Sequence, residues 1–441
     1  MNYIKELFWP TKEPTPEQMA ASRCALLAQG ALAAVMYNLG TGNFLAGYLG
    51  ALGASAAQIS RILAIPQLGC VLQLASPFFF ERKVHRKASI TALCFLFRFS
   101  MGFMVFAPFL FASKGGRLAF ATFLYGVSFL LAGFVTPALN QWIMQIAPEA
   151  NRGRYFAVKE VIASVVNAAV AFIMGRQLDV HTALGIPMKG YTIVYGFCIV
   201  GAVVDLILMS IEREPATPAL PKVRASDLAA PLRERRFRPV LVYELMSYTS
   251  SSLSSGFLSV YQLTVLGLNH TFITSIGIVT ALIGIGSIWV WGRVADRTYW
   301  TTVLLGTRAL STLCLFMWWL LPVGWALYAA PLIMAISAAA GGAAMAGVNL
   351  QYDSSPAAGK TAYLGVTAAL GSITGYGAAL LGSQIQHHLE PLLGGRSIAV
   401  LFAASGVLSI VTICYGAAHL PRAPVCYRDP PVYPPDAETA P

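Results

Sequence analysis

Charge is scarce in this sequence. Of its 441 residues only 11% are Asp, Glu, Lys or Arg, while 56% are hydrophobic. Soluble domains carry about 25% charged residues, so this chain cannot keep a soluble surface wet. A Gly-x4-Gly-Lys-Ser/Thr loop is missing, which argues against ATP as the direct driver of any work the protein does. The seven cysteines form no Cys-x-x-Cys pair and no metal-ligand spacing. Cys24, Cys70, Cys94, Cys198, Cys314 and Cys414 fall in or beside apolar blocks and read as buried free thiols, and Cys426 falls in the tail. The six histidines are scattered, and His387-His388 has no spaced acidic partner. Neither a catalytic cluster nor a metal or cofactor site is expected, so the chain does not read as an enzyme. Met1 to Ser22 has no apolar core and is not expected to be a cleaved signal peptide.

What is there is a series of apolar blocks, each about long enough to cross a hydrocarbon core as a helix. Lipid offers no hydrogen bonds, so each crossing must satisfy its own backbone, and a helix does so. Block length and flanking charge predict twelve spans. The first six are 24–47, 57–80, 88–111, 118–143, 155–175 and 191–211. The other six are 240–266, 272–291, 301–321, 326–350, 361–382 and 397–418. The expected organisation is a segment 1–23, a six-helix bundle 24–211, a polar linker 212–239, a second six-helix bundle 240–420 and a Pro-rich tail 421–441.

The net charge of +11 lies in the short stretches between blocks. That is a topology signal rather than a nucleic-acid surface. With the N-terminus in the cytoplasm, the outer loops hold only five basic residues, Lys114, Arg117, Arg176, Lys189 and Arg396. Most of the others fall on the cytoplasmic side. Both termini are therefore expected in the cytoplasm, in a plasma or bacterial inner membrane.

The halves echo each other. Pro148, Arg152 and Tyr155 match Pro356, Lys360 and Tyr363, and a shift of about 207 positions also places Gly175 and Gln177 on Gly382 and Gln384. Leu52-Gly53 matches Leu266-Gly267, and Arg98 and Arg308 fall at similar depths.

After the eighth span the chain reads Gly292-Arg293-Val294-Ala295-Asp296-Arg297. This resembles the signature of the major facilitator superfamily, which in that family joins the second helix to the third and the eighth to the ninth. The first copy, Pro77 to Lys87, departs from it: proline stands where glycine is usual, and Glu81 replaces aspartate. Pro148 to Tyr155 resembles the family's Pro…Arg-Gly-Arg run between the fourth and fifth helices. The resemblance implies an all-α membrane fold of twelve helices in two pseudo-symmetric bundles, working by alternating access. It also implies a cytoplasmic latch, here Glu81, Arg82, Arg86, Arg152, Asp296 and Arg297, that holds the outward-facing state. The fourth span has no charge and the fifth no proline, unlike proton-driven drug exporters of the family.

Ionisable groups inside spans are costly and tend to be functional. Glu244 reads either as a proton carrier or as the partner of a nearby arginine. Glu160 is a second coupling candidate, with Lys159 and Arg154 beside it. Arg98, Arg308 and Asp205 sit on helices that the resemblance makes peripheral, and an Arg98–Asp205 pair is expected. Polar groups on the cavity helices offer hydrogen bonds and aromatic faces: Tyr37, Asn38, Asn43, Arg61, Gln67, Asn140, Asn167, Tyr248 and Asn349. Their chemistry suits a sugar or other polar solute. The expected function is secondary transport of a small solute by a monomer in lipid, with protons as coupling ion. The alternatives are an exporter of lipophilic compounds and a non-transporting sensor of the same fold.

Overall fold

The computed structural model describes residues 8, 14–80, 85–148, 151–214, 229–356 and 360–422, without the side chains of 152, 153, 360 and 361. The expectations on Glu81, Arg82, the Arg152 side chain and Cys426 lie outside the described residues. The fold is all-α, with twelve crossings.

Among the described residues, ten helices are long and apolar enough to cross a membrane. The remaining two crossings are the second, whose apolar helix Ala56–Leu72 is shorter, and the serine-rich seventh, Arg238–Val260. In the first half the crossings are Pro16–Leu39 continued by Gly42–Ala51, Ala56–Leu63 continued by Ile65–Leu72 and Ser76–Phe80, Lys87–Phe103, Lys114–Ile146, Arg152–Ala183 and Pro187–Ile211. The second half repeats the plan with Arg238–Val260, His270–Arg297, Trp300–Leu320, Ala326–Ala339 continued by Ala343–Asp353, Lys360–Leu393 and Arg396–His419.

Most helices run past the apolar blocks that predict them, because capping is polar and apolarity does not report it. The first starts at Pro16, well ahead of Cys24. Thr15 accepts from Gln18 N while Gln18 Oε1 accepts from Thr15 N, a capping box in front of a helix-initiating proline. Ser113 Oγ accepts from Gly116 N and separates the fourth crossing from the third. The eleventh helix continues to Leu393, so His387-His388 lies in its exposed end rather than in a loop. Gly292 to Arg297 likewise forms the last turns of the eighth helix.

The duplication is plain in the backbone. Gly53 and Gly267, which follow the first crossing of each half, have φ of 88° and 65°, and Gly185 and Gly394, between the last two crossings of each half, have φ of 74° and 53°. Only glycine takes these conformations without strain. Tyr48 donates to Met104 O at 2.6 Å, and Tyr261 donates to Trp318 O at 3.4 Å. Gln177 donates to Gly190 O and Gln386 to Ser397 Oγ. These are equivalent ties in the two halves.

Close helix contact depends on small residues. Gly69 of the second crossing and Gly133 of the fourth meet backbone to backbone, with no room for a Cβ on either. Gly371 lies under the Tyr248 ring and Gly375 under Gln67 and Ser252, whereas Gly286 faces open space.

Where the sixth crossing ends, on the face that carries the termini, a buried polar hub holds the start of the linker. The Glu214 carboxylate accepts from Arg86 N at 2.9 Å and Lys87 N at 3.1 Å, capping the third crossing. Lys87 Nζ donates to Ser210 O, Arg86 Nη1 to Gln141 Oε1, Trp142 Nε1 to Arg213 O and Arg213 N to Ser22 Oγ. Beside them Glu212 is 1% exposed. Its burial, with the negative charge of Asp205, pushes its carboxyl up to about 8, against the pull of Lys87 and Arg98. The folded chain thus keeps a proton that the unfolded chain releases at its ordinary carboxylate value. That contribution to stability is complete below the unfolded value and is lost as pH rises through about 8. Glu212→Gln should therefore melt several degrees above the parent at pH 8.5 and close to it at pH 5. Thermal unfolding in detergent across that range checks it; a parallel offset at every pH would sink it.

Candidate functional site

The two halves meet along the first, second, fifth, seventh, eighth and eleventh crossings. Gln67 Nε2 donates to Ser252 Oγ at 3.0 Å near the midplane. Towards the face opposite the termini, Arg61 Nε donates to Ser383 Oγ at 2.5 Å, and Ser383 Oγ donates to Ala57 O. Gly256 lies close against Ser60.

At the edge of that face the Asp179 carboxylate, from the fifth crossing, accepts His270 N at 3.0 Å and Thr271 N at 2.7 Å. Those are unpaired amides at the start of the eighth helix, where the helix dipole also favours a negative charge. The His270 ring stacks on Phe44 at 5.7 Å and its Nε2 lies 3.3 Å from Tyr191 Oη. One carboxylate and three rings thus clasp the halves together on this face. Near the opposite face, Asp296 and Arg297 are exposed and make no ion pair among the described residues.

Each half encloses a cavity between its own helices. In the first half, a cavity of about 350 Å³ lies among the first four crossings, with Tyr37, Cys70, Gln73, Phe97, Arg98 and Phe129 on its wall. Its surface is mostly carbon. In the second half, about 180 Å³ lies among the seventh, ninth, tenth and twelfth crossings, walled by Ser251, Ser255, Arg308, Ser337 and Ser409.

The two arginines behave differently. Arg98 pairs with Asp205 of the sixth crossing in a nearly water-free setting, their side chains 5% and 0% exposed. Arg308 donates to Ser247 O, Ser250 Oγ and Ser251 Oγ of the seventh crossing at 2.7–2.9 Å.

The remaining candidates disperse. Tyr37 is 60% exposed and packs edge-on to Phe129. Asn38 Nδ2 donates to Asn167 Oδ1 at 3.0 Å, tying the first crossing to the fifth. Asn43 is half-buried in the helix that follows the break at Gly40, and Asn140 is exposed. Tyr248 is half-buried over Gly371. Asn349 Nδ2 is spent on Met345 O of its own helix. Arg86 is buried and held by Glu214 and Gln141. Glu160 pairs with Lys159 at 3.1 Å, its own side chain 71% exposed. Glu244 lies beside Gln351 of the tenth crossing, and a Cβ on Gly347 would stand 3.1 Å from its Oε1. Two functional-looking groups escaped the sequence reading. Asp179 lies at the end of a helix that runs past its apolar block, and Ser383 has no feature that marks it.

Two pseudo-symmetric halves of six membrane-crossing helices, packed against each other, are the architecture of a membrane transporter. The family model of the Major Facilitator Superfamily matches residues 26–383, and the chain belongs to that family. A search of curated proteins finds no match. Among solved structures the chain is similar to a D-xylose-proton symporter, at a TM-score of 0.64 and 14% identity, covering 92% of this chain and 98% of that one. It is similar to a bacterial homologue of the iron transporter ferroportin in an inward-facing state, at a TM-score of 0.69 and 12% identity, covering 93% and 100%. A third likeness is to the nucleoside transporter NupG, at 0.65 and 9% identity, covering 90% and 98%. Identities this low establish the shared fold.

Proposed function

We propose that this protein is a secondary active transporter that carries a small polar solute by alternating access, with protons as the coupling ion. The observation that carries the reading is the one-sided clasp. The halves are hydrogen-bonded at the midplane and on the face opposite the termini, while at the other Asp296 and Arg297 are exposed and make no ion pair among the described residues. Rocking the halves about the Gln67–Ser252 level breaks the first set and brings the second together.

The terminal face is the cytoplasmic one in this reading, supported by the excess of Lys and Arg there. The clasped state is then inward-open. Glu81, Arg82, Arg86, Arg152, Asp296 and Arg297 form the latch of the opposite, outward-open state, where charge-assisted bonds suit a contact that small rotations make and break. The units that move are the two six-helix bundles, joined through 212–239. Solute shifts the balance only by binding one state better than the other.

Glu244 is the proton carrier. It stands on the seventh crossing, against Gly347 of the tenth, and the seventh crossing meets the first half through Gln67–Ser252, so rocking of the halves changes its surroundings. In proteoliposomes, Glu244→Gln is expected to flatten the pH dependence of uptake and abolish acceleration by a proton gradient, while exchange of solute for solute persists. An unchanged pH profile removes Glu244 from this role, and solute binding without any flux would make the protein a sensor.

A further inference from the structure

The duplicated arginines Arg98 and Arg308 occupy equivalent crossings, the third and the ninth, but among the described residues only Arg98 of the two forms an ion pair. Arg98 has Asp205 across from it on the sixth crossing. The twelfth crossing, Arg396–His419, contains no Asp or Glu. Arg308 forms no ion pair within 4.0 Å among the described residues. Its ionisable neighbours are Glu244, whose charge acts on it from beyond ion-pair distance, and Tyr243. Three of its donated bonds go to neutral oxygens of the seventh crossing, and its Nε is buried without any partner. A guanidinium has five N–H donors in a rigid fork and does not give up its proton. A positive charge therefore sits inside a membrane helix bundle with no carboxylate within 4.0 Å among the described residues, a costly arrangement that calls for a functional account.

The space in front of it fits that account. The cavity of about 180 Å³ has Arg308, Ser251, Ser255, Ser337 and Ser409 on its wall, with Leu315, Trp318 and Phe402 supplying apolar surface. Ser251 and Ser255 are exposed to it, and Ser251 Oγ already accepts from Arg308 Nη1, so its own proton points elsewhere. A guanidinium flanked by hydroxyl donors is a receptor for an oxyanion. One unpaired cation balances one negative charge, which favours a carboxylate over a doubly charged phosphate.

We infer that Arg308, Ser251 and Ser255 form the seat of a small carboxylate inside the second half. The larger, mostly carbon-walled cavity of the first half, where Arg98 is already neutralised, has no equivalent demand for an anion.

Thermal unfolding of the purified full chain tests this with acetate, succinate, benzoate, inorganic phosphate, benzamide and xylose at matched ionic strength. At least one carboxylate should raise the unfolding midpoint, with the neutral probes having no effect. Arg308→Gln should abolish the shift. Arg308→Lys should keep a weaker one, and Ser251→Ala should weaken affinity by about tenfold. If Arg308→Gln does not fold, the lysine and alanine variants decide. The seat is overturned if no carboxylate acts, if benzamide acts as well as benzoate, if phosphate outcompetes every carboxylate, or if Arg308→Gln keeps the full shift. Counterflow of the labelled carboxylate in proteoliposomes separates the two readings. Binding without counterflow keeps the seat and makes the carboxylate a bound ligand rather than cargo, whereas counterflow of xylose with no carboxylate binding overturns the seat and leaves the transport reading.

Discussion

Asp179→Ala is expected to unfasten the face opposite the termini and shift the protein towards its other state by on the order of tenfold. The carboxylate accepts two backbone amides from the eighth helix, His270 N at 3.0 Å and Thr271 N at 2.7 Å. It belongs to the other half of the molecule, so these bonds exist only while the face is closed. Hydrogen bonds to a charged group contribute about 1.5–3 kcal/mol each. Part of that is recovered in the open state, where water reaches the same amides. Asp179→Asn keeps one acceptor oxygen and loses the charge, and should fall between the parent and the alanine variant. Spin labels on Leu184→Cys and Leu392→Cys, exposed positions at that face on opposite halves, report the separation directly. The exposed Cys24 and Cys414 should first be replaced. The parent should show a short distance, and the alanine variant should add a longer one. A distance distribution that does not change would mean that the stacked His270 ring and the Arg61–Ser383 bond hold the face closed without Asp179.

The second large effect concerns stability. Asp205→Ala should destabilise the first half by about 3–5 kcal/mol, because it leaves Arg98 as a buried charge without a counter-ion. Arg98→Leu should cost a similar amount by stranding Asp205. The double variant Arg98→Leu with Asp205→Leu should recover most of the loss, since apolar groups of similar volume replace a buried pair at little cost. Thermal unfolding of the three variants in detergent reads this out. Additive losses in the double variant would show that the pair does not act as a unit. The same experiment on Arg308 has no acidic partner to remove on the twelfth crossing.

The fold was legible in the sequence because membrane insertion leaves few choices. Apolar blocks of sufficient length, a charged linker and an echo between halves are enough to specify two bundles of six crossings. Helix ends were less legible: Thr15, Ser113 and the run to Leu393 concern capping and amphipathic extension, which block hydropathy does not measure. The repeat was found, but its register drifted. A shift of about 207 pairs Gln177 with Gln384, whereas the shared role, a side chain reaching the start of the next helix, falls on Gln177 and Gln386. The Arg98–Asp205 pair could be anticipated because both groups are costly in lipid and need each other. Asp179 could not be, since its partners are backbone amides and carry no residue signature. The Arg308 setting became visible only by contrast with Arg98, which needs both halves in three dimensions.

The seventh crossing has a further consequence during biosynthesis. Its serines and Glu244 leave it outside the set of helices apolar enough to cross on their own. Partitioning from the translocon depends on each segment's own transfer energy, so this helix emerges without sufficient drive to settle in the bilayer. It must wait at the channel or in the interface until the eleventh crossing, whose Gly371 and Gly382 pack against Tyr248 and Leu253, has been made. The second bundle is therefore assembled late and together, and a ribosome that stalls before residue 382 would release a chain whose serine-rich helix has no stable place in the membrane.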